Sequence, residues 1–176
     1  ADRLIQAIRA DLHAAEAKRK VVVFLGDYVD RGLDSKGVLN QLCNLAADPG
    51  LEAHFVRGNH EDRMEAFLHD PMVGPSWCDY GGRDTLVSYG VRPPPMRGDI
   101  QAWADASRAL GDAMPESHHE LLANQEMSVS IGDYFFVHAG ARPGIALAVQ
   151  SPEDLMWIRR TFLDSDMARA ADLLGM

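Results

Sequence analysis

The chain has 176 residues, the length of one ordinary domain and enough to bury a sizeable core, and its 26 acidic against 17 basic residues give a net charge of -9. That balance opposes broad contact with polyanions and argues against a nucleic-acid-binding module, while leaving room for a local positive pocket. Cys43 and Cys78 fit no zinc spacing or disulfide framework. The run Val21 to Leu25 is far shorter than the roughly 20 apolar residues of a membrane span, and Ala1-Asp2-Arg3 does not open a secretion signal, so the expectation is a cytoplasmic protein with no membrane contact.

Leu4, Ile5, Ile8 and Leu12 recur at helical steps and predict an amphipathic first helix whose apolar face docks on a sheet. Val21-Val22-Val23-Phe24-Leu25 is a run without alternation, the pattern of a strand covered on both faces, and Gly26 ends it. A second helix is predicted from about Ser35, with Val38, Leu39, Leu42, Cys43 and Ala46 as its stripe and Asp48-Pro49-Gly50 as its stop. Ala53-His54-Phe55-Val56 returns as a strand, parallel to the first through a right-handed crossover. Residues 71–124, with Pro93-Pro94-Pro95 and scattered tryptophans, read as an insertion of short periodic pieces, either a cap over a site or irregular surface packing. Tyr134-Phe135-Phe136-Val137 resumes the core as a strand ending at His138.

Three polar strings follow these strands: Gly26-Asp27-Tyr28-Val29-Asp30-Arg31-Gly32, Gly58-Asn59-His60-Glu61 and His138-Ala139-Gly140. The carboxyl ends of parallel strands are where open α/β sheets bind ligands. A carboxylate, a carboxamide and an imidazole gathered there make an oxygen- and nitrogen-rich metal site, with an arginine at hand for phosphate. Asp27 and Asp30 would repel each other, and a metal on Asp27 with a protonated imidazole on Asp30 would relieve that. Asn59 alone reads equally as a helix N-cap, with Asp62 in the place of a capping-box acid. His60 in the first turn is harder to explain by structure, since the helix dipole disfavours its cation there unless Asp30 restores it. Glu61 is expected either to support the site residues from behind or to serve the start of the helix. His54 is expected to be packed or partly exposed within its strand, and His13, His69, His118 and His119 to be structural.

These strings resemble the signature motifs of the calcineurin-like metallophosphoesterases, and WCDYGGRDTLVSYG (Trp77 to Gly90), GDYFFVHAGARPG (Gly132 to Gly144) and PEDLMWIR (Pro152 to Arg159) resemble bacterial serine/threonine phosphoprotein phosphatases in particular. The resemblance implies an α/β metallophosphoesterase sandwich, two mixed sheets flanked by helices, as a single domain over 1–176. It implies two divalent metal ions, with manganese expected and iron, zinc or magnesium as alternatives. Asp27 would bridge them, Asn59 and His138 would hold the second, and a metal-bridging water would attack the phosphate. Arg31 would bind the phosphate, with Arg142 a second candidate clamp and Arg159 a third. His60 would protonate the leaving alkoxide, with Asp30 orienting and charging its ring.

Family members also carry a Gly-Asp-x-His-Gly motif ahead of the first helix and a Gly-His motif after the third string, and neither is in this sequence. The expectation is a chain truncated at both ends, with three protein ligands shared over two metals, weak metal binding and reduced turnover. Ala168 to Leu174 would form a short helix in place of a core strand. The substrate would be a phosphorylated protein or small phosphoester. The alternatives are a dinucleoside polyphosphate hydrolase of the same fold and a non-catalytic phosphate-binding fragment.

Overall fold

The computed structural model describes residues 2–165, so the short helix expected over 168–174 lies outside the described residues. Helix α1 (Asp2–Ala14) leads to β1 (Val21–Phe24), α2 (Ser35–Ala46), β2 (Glu52–Phe55) and α3 (Asn59–His69). Strands β1 and β2 pair in parallel with Val21 opposite Glu52 and Phe24 opposite Phe55, the predicted strand-helix-strand unit. Asp34 starts α2 by accepting the Gly37 N–H at 2.9 Å, and Leu39, Leu42 and Leu45 form its buried stripe. Leu45 takes the place assigned to Ala46, which is exposed.

Coverage of β1 differs from expectation. Its four residues are half-buried, Leu25 beyond it is exposed, and of the α1 stripe only Ile5 is buried while Leu4 stands in solvent. The reason is the narrowness of the sheet: among the described residues β1 has a hydrogen-bonded partner on one side only. A second pair, β3 (Ser128–Ile131) and β4 (Tyr134–Val137), is an antiparallel hairpin turning through Gly132, which has φ +58°. β3 escaped the sequence reading because only the more apolar β4 stood out. The observed sheets are thus one parallel and one antiparallel pair, and an isolated parallel bridge pairs Val56, just past β2, with Glu126, just before β3.

Residues 71–124 are mostly helical: α4 (Gly74–Trp77), α5 (Arg83–Ser88), α6 (Ile100–Ala113) and α7 (Glu116–Ala123), with a break at Gly81, where φ is +118°. They do not form a surface excursion. Trp77, Leu86, Trp103 and Leu110 are almost completely buried against Leu39, Met64 and Phe67 of α2 and α3. Phe67 is the hub, with the Trp77 ring centred 5.1 Å away and the Trp103 ring edge-on at 6.2 Å. The prolines and glycines that made the stretch look irregular sit at its helix ends and turns, between helices whose aromatic residues do the packing. The described chain ends with α8 (Pro152–Trp157), capped by Ser151, and α9 (Arg160–Leu163). No helix among the described residues is long and apolar enough to cross a membrane.

His118 of α7 is fully buried, accepting the Tyr89 hydroxyl proton at Nδ1 (2.7 Å) and donating from Nε2 to the Asn40 side-chain oxygen Oδ1 (2.9 Å). Burial pushes its pKa below the ordinary 6.5, with Lys36 and His119 acting in the same direction. The unfolded chain therefore binds a proton that the folded chain resists, so this site's contribution is complete above pH 6.5 and is lost as pH falls toward the depressed folded value. A melting-temperature series should show a decline below pH 6.5 that is shallower in His118→Gln. Parallel profiles for the two proteins would assign the decline to other groups.

Candidate active site

Local backbone chemistry builds the site before any side chain reaches it. After β1 the chain turns through Gly26 (φ +94°), and then Asp27, Asp30 and Arg31 all hold positive φ, at 59°, 71° and 59°. Such conformations cost on the order of 1–3 kcal/mol each in non-glycine residues and persist only where surrounding contacts enforce them. Glu61 is one source of that enforcement. Its carboxylate accepts the N–H groups of Asp27 (2.9 Å), Tyr28 (2.7 Å), Val29 (3.2 Å) and Gly58 (3.0 Å). Burial raises its affinity for a proton and the backbone donors oppose that. Since all four contacts are donors, a proton on Glu61 would face an N–H, and the ionised form fits the geometry.

The start of α3 follows from the same contact. Gly58 is the N-cap, Asn59 the first helical residue and Glu61 the capping-box acid, in place of the assignment to Asn59 and Asp62. The physical reason is proximity: a Cβ on Gly58 would lie 2.5 Å from the Asp27 nitrogen and 2.6 Å from its Oδ1, so only glycine lets the second string approach the first. Tyr28 closes the other side, its hydroxyl accepting from Gly26 N–H and lying within hydrogen-bond reach of the carbonyls of Phe24 and Val56.

Within this frame the three strings meet. Asp27 Oδ1 lies 3.4 Å from His138 Nε2 and 3.4 Å from the backbone nitrogen of His60. His138 donates from Nδ1 to the Leu25 carbonyl at 2.6 Å, which fixes the tautomer and leaves Nε2 as a lone-pair donor facing Asp27. Asn59 Oδ1 is buried without a hydrogen-bond partner. An orphaned carbonyl oxygen, an imidazole with its second nitrogen pinned and a partly exposed carboxylate are the donor types a hard or borderline divalent cation takes. These three residues fit such an ion. No group of three or more His, Cys, Asp or Glu side chains is arranged for a metal among the described residues, so the carboxamide is needed to complete even this set.

Beside it, Asp30 is saturated. Its Oδ2 accepts from His60 Nδ1 at 2.7 Å and Trp77 Nε1 at 2.8 Å, and its Oδ1 accepts from Thr85 Oγ1 at 2.6 Å. The backbone nitrogen of Asp30 donates to Thr85 Oγ1 and Ser35 Oγ. The Asp30 hydrogen bond raises the His60 pKa above its ordinary value, against burial and the nearby Arg31 charge. His60 is therefore held by Nδ1 with Nε2 left to act.

Arg31, Asn59, His60 and Trp77 line a cleft of about 260 Å³ together with Arg63, Ser76, Tyr80, Trp157 and Arg159. Arg31 is steadied by Nε donating to the Tyr80 carbonyl at 3.2 Å. Arg142 is not among the lining residues. Asp154 holds its guanidinium through both Nε and Nη2, and its own backbone nitrogen donates to Gln150, so the structure gives it a role in tying the segment after His138 to α8. Arg159, rated third in sequence, stands in the cleft instead. Trp77 and Thr85 were not singled out for Asp30 because they lie 47 and 55 residues from it, and no local pattern announces such a contact. Arg63 was legible in principle, since His60 and Arg63 are three residues apart on one helix face.

The calcineurin-like phosphoesterase family model matches residues 1–167, a span that contains every residue of this site. No curated protein matches the chain.

Proposed function

The chain belongs to the calcineurin-like phosphoesterase family, whose members are metal-dependent phosphoester hydrolases, and we propose that it is a phosphoprotein phosphatase of the serine/threonine type. The observation that carries this reading is the adjoining of two units: a donor set of Asp27, Asn59 and His138, and a buried Asp30–His60 pair aimed into an arginine-lined cleft. A protein that only bound phosphate would have no need of the second unit.

The family generally binds two divalent metal ions. Asn59 and His138 would hold one, with Asp27 shared between both, and manganese suits the oxygen and nitrogen donors. When bound, such ions supply positive charge to the phosphoryl oxygens and acidity to the attacking water. The chain's own residues do the rest. Arg31 and Arg159 orient the phosphate and spread its charge, a task for which planar guanidinium is well matched. His60 delivers a proton from Nε2 to the departing alkoxide oxygen while Asp30 stabilises the imidazolium through Nδ1. Tyr80 and Trp77 wall the cleft and limit the water around the reacting group.

Titration calorimetry with manganese, paired with hydrolysis of p-nitrophenyl phosphate, tests the reading. Asp27→Asn should weaken manganese binding and lower turnover by on the order of 100-fold or more, since loss of even an outer partner of a metal ligand costs roughly 10- to 100-fold. Undiminished manganese binding by the variant would remove Asp27 from the donor set. A panel of phosphoserine peptide against diadenosine tetraphosphate separates the phosphatase from the dinucleoside polyphosphate hydrolase of the same fold.

A further inference from the structure

The cleft contains one guanidinium more than a phosphate dianion needs. Arg31 and Arg159 suffice for the reacting group, yet Arg63 lines the same cleft and has no ion-pair partner among the described residues. Elsewhere Arg57 is paired with Asp62 and Glu65, Arg97 with Asp79, and Arg142 with Asp154, whereas Arg31, Arg63 and Arg159 meet in the cleft with no carboxylate partner among the described residues. In a chain of net charge -9, a carboxylate-free arginine beside two others marks a place kept for an anion.

Its position says which part of the substrate that anion belongs to. Arg63 follows His60 by three residues on α3, so their Cβ atoms are neighbours at about 5–6 Å on one helix face. His60 addresses the leaving group, and Arg63 therefore lies beside the leaving group and not beyond the phosphate. The guanidinium carbon sits 5.3 Å from the centroid of the Trp157 ring, a cation–π contact that steadies the head group without using its N–H donors.

We infer that Arg63 and Trp157 form a specificity subsite for a second anionic group, a carboxylate or a phosphate, carried by the alcohol portion of the phosphoester. The substrate class is then a phosphoester whose leaving group is itself an anion. This rests on the hydrolase reading above, which places His60 on the leaving-group side.

Calorimetry on the manganese-loaded protein with phenylphosphonate and 3-carboxyphenylphosphonate reads the subsite without turnover. The carboxylated ligand should bind more tightly, and Arg63→Ala and Arg63→Gln should weaken it by about tenfold to a hundredfold, the range of one charge-assisted bidentate contact. The ratio of the two affinities should collapse in both variants. A propyl bisphosphonate set against the monophosphonate forms the second arm, and the arm with the larger preference identifies the anion as phosphate or carboxylate. Long-range repulsion by a -9 protein works against the more anionic ligand, so a preference for it must be local. Equal affinities in the unaltered protein, or a ratio indifferent to both variants, overturn the subsite. Failure of the hydrolase reading shows elsewhere, as absent hydrolysis of p-nitrophenyl phosphate by a protein that still discriminates the two phosphonates.

Discussion

Glu61→Gln is expected to destabilise the protein by about 3–5 kcal/mol, the usual scale for breaking a buried charged network, and to lower its melting temperature by on the order of 10 °C. Glu61 has no exposed surface and spends its two oxygens on four backbone N–H groups from both sides of the site. Glutamine has nearly the same shape but one oxygen. Its NH₂ must face either the Asp27 and Gly58 nitrogens or those of Tyr28 and Val29, so one pair of buried donors is left unanswered in either orientation.

The loss should not stop at stability. Asp27, Asp30 and Arg31 are held at positive φ by contacts that include these hydrogen bonds, and releasing the turn lets the backbone relax toward its ordinary region. Manganese affinity should therefore fall in the same variant although Glu61 donates nothing to the metal. Thermal melts and manganese calorimetry on one preparation check both. A melting temperature within about 2 °C of the parent would mean that other acceptors serve the four N–H groups, a result that argues against the turn being held by Glu61.

That dependence explains what could be read from the sequence and what could not. The parallel unit of β1, α2 and β2 was legible because each element carries its own periodicity and its own stop, Gly26 and Asp48-Pro49-Gly50. The meeting of Asp27, Asn59 and His138 was legible as chemistry, since the strings follow predicted strands. Glu61 was legible only as an acid that either supports the site or serves the helix start, since nothing local reveals that its oxygens cross to a turn 32 to 34 residues away. The helical layer over 71–124 was hidden for a related reason. Pro93-Pro94-Pro95 and Gly81-Gly82 dominate its appearance, whereas Trp77, Leu86, Trp103 and Leu110 bury themselves from three separate helices, α4, α5 and α6, of which the first two are too short to show a periodicity.

Arg142 and Arg159 show the same limit at the level of one residue type. In sequence both are arginines downstream of His138, and Arg142 is the nearer. Asp154 decides between them, because a carboxylate that binds Arg142 through Nε and Nη2 takes up the edge with which it would bind phosphate. Arg159 has no ion-pair partner among the described residues and lines the cleft. Proximity in sequence favoured Arg142, and charge compensation leaves Arg159 as the arginine free to meet an anion in the cleft.

Replacing His60 with glutamine is expected to slow hydrolysis of an alkyl phosphate by about 10²- to 10⁴-fold, the range for a general acid, and to slow p-nitrophenyl phosphate by less than about tenfold. The difference follows from the leaving groups. An alkoxide is a strong base that cannot depart without a proton, whereas p-nitrophenolate leaves as a stable anion and gains little from one. Asp30→Asn should produce the same selective loss, smaller in size, because the carboxylate acts through the ring that it orients and charges at 2.7 Å. The double variant should be no slower than His60→Gln alone, since the two side chains work as a single unit and removing one removes the benefit of the other. Additive losses would mean that Asp30 serves the reaction by a separate route. Equal slowing of the alkyl and nitrophenyl esters would sink the assignment of His60 as proton donor and recast it as a contact to the phosphate itself.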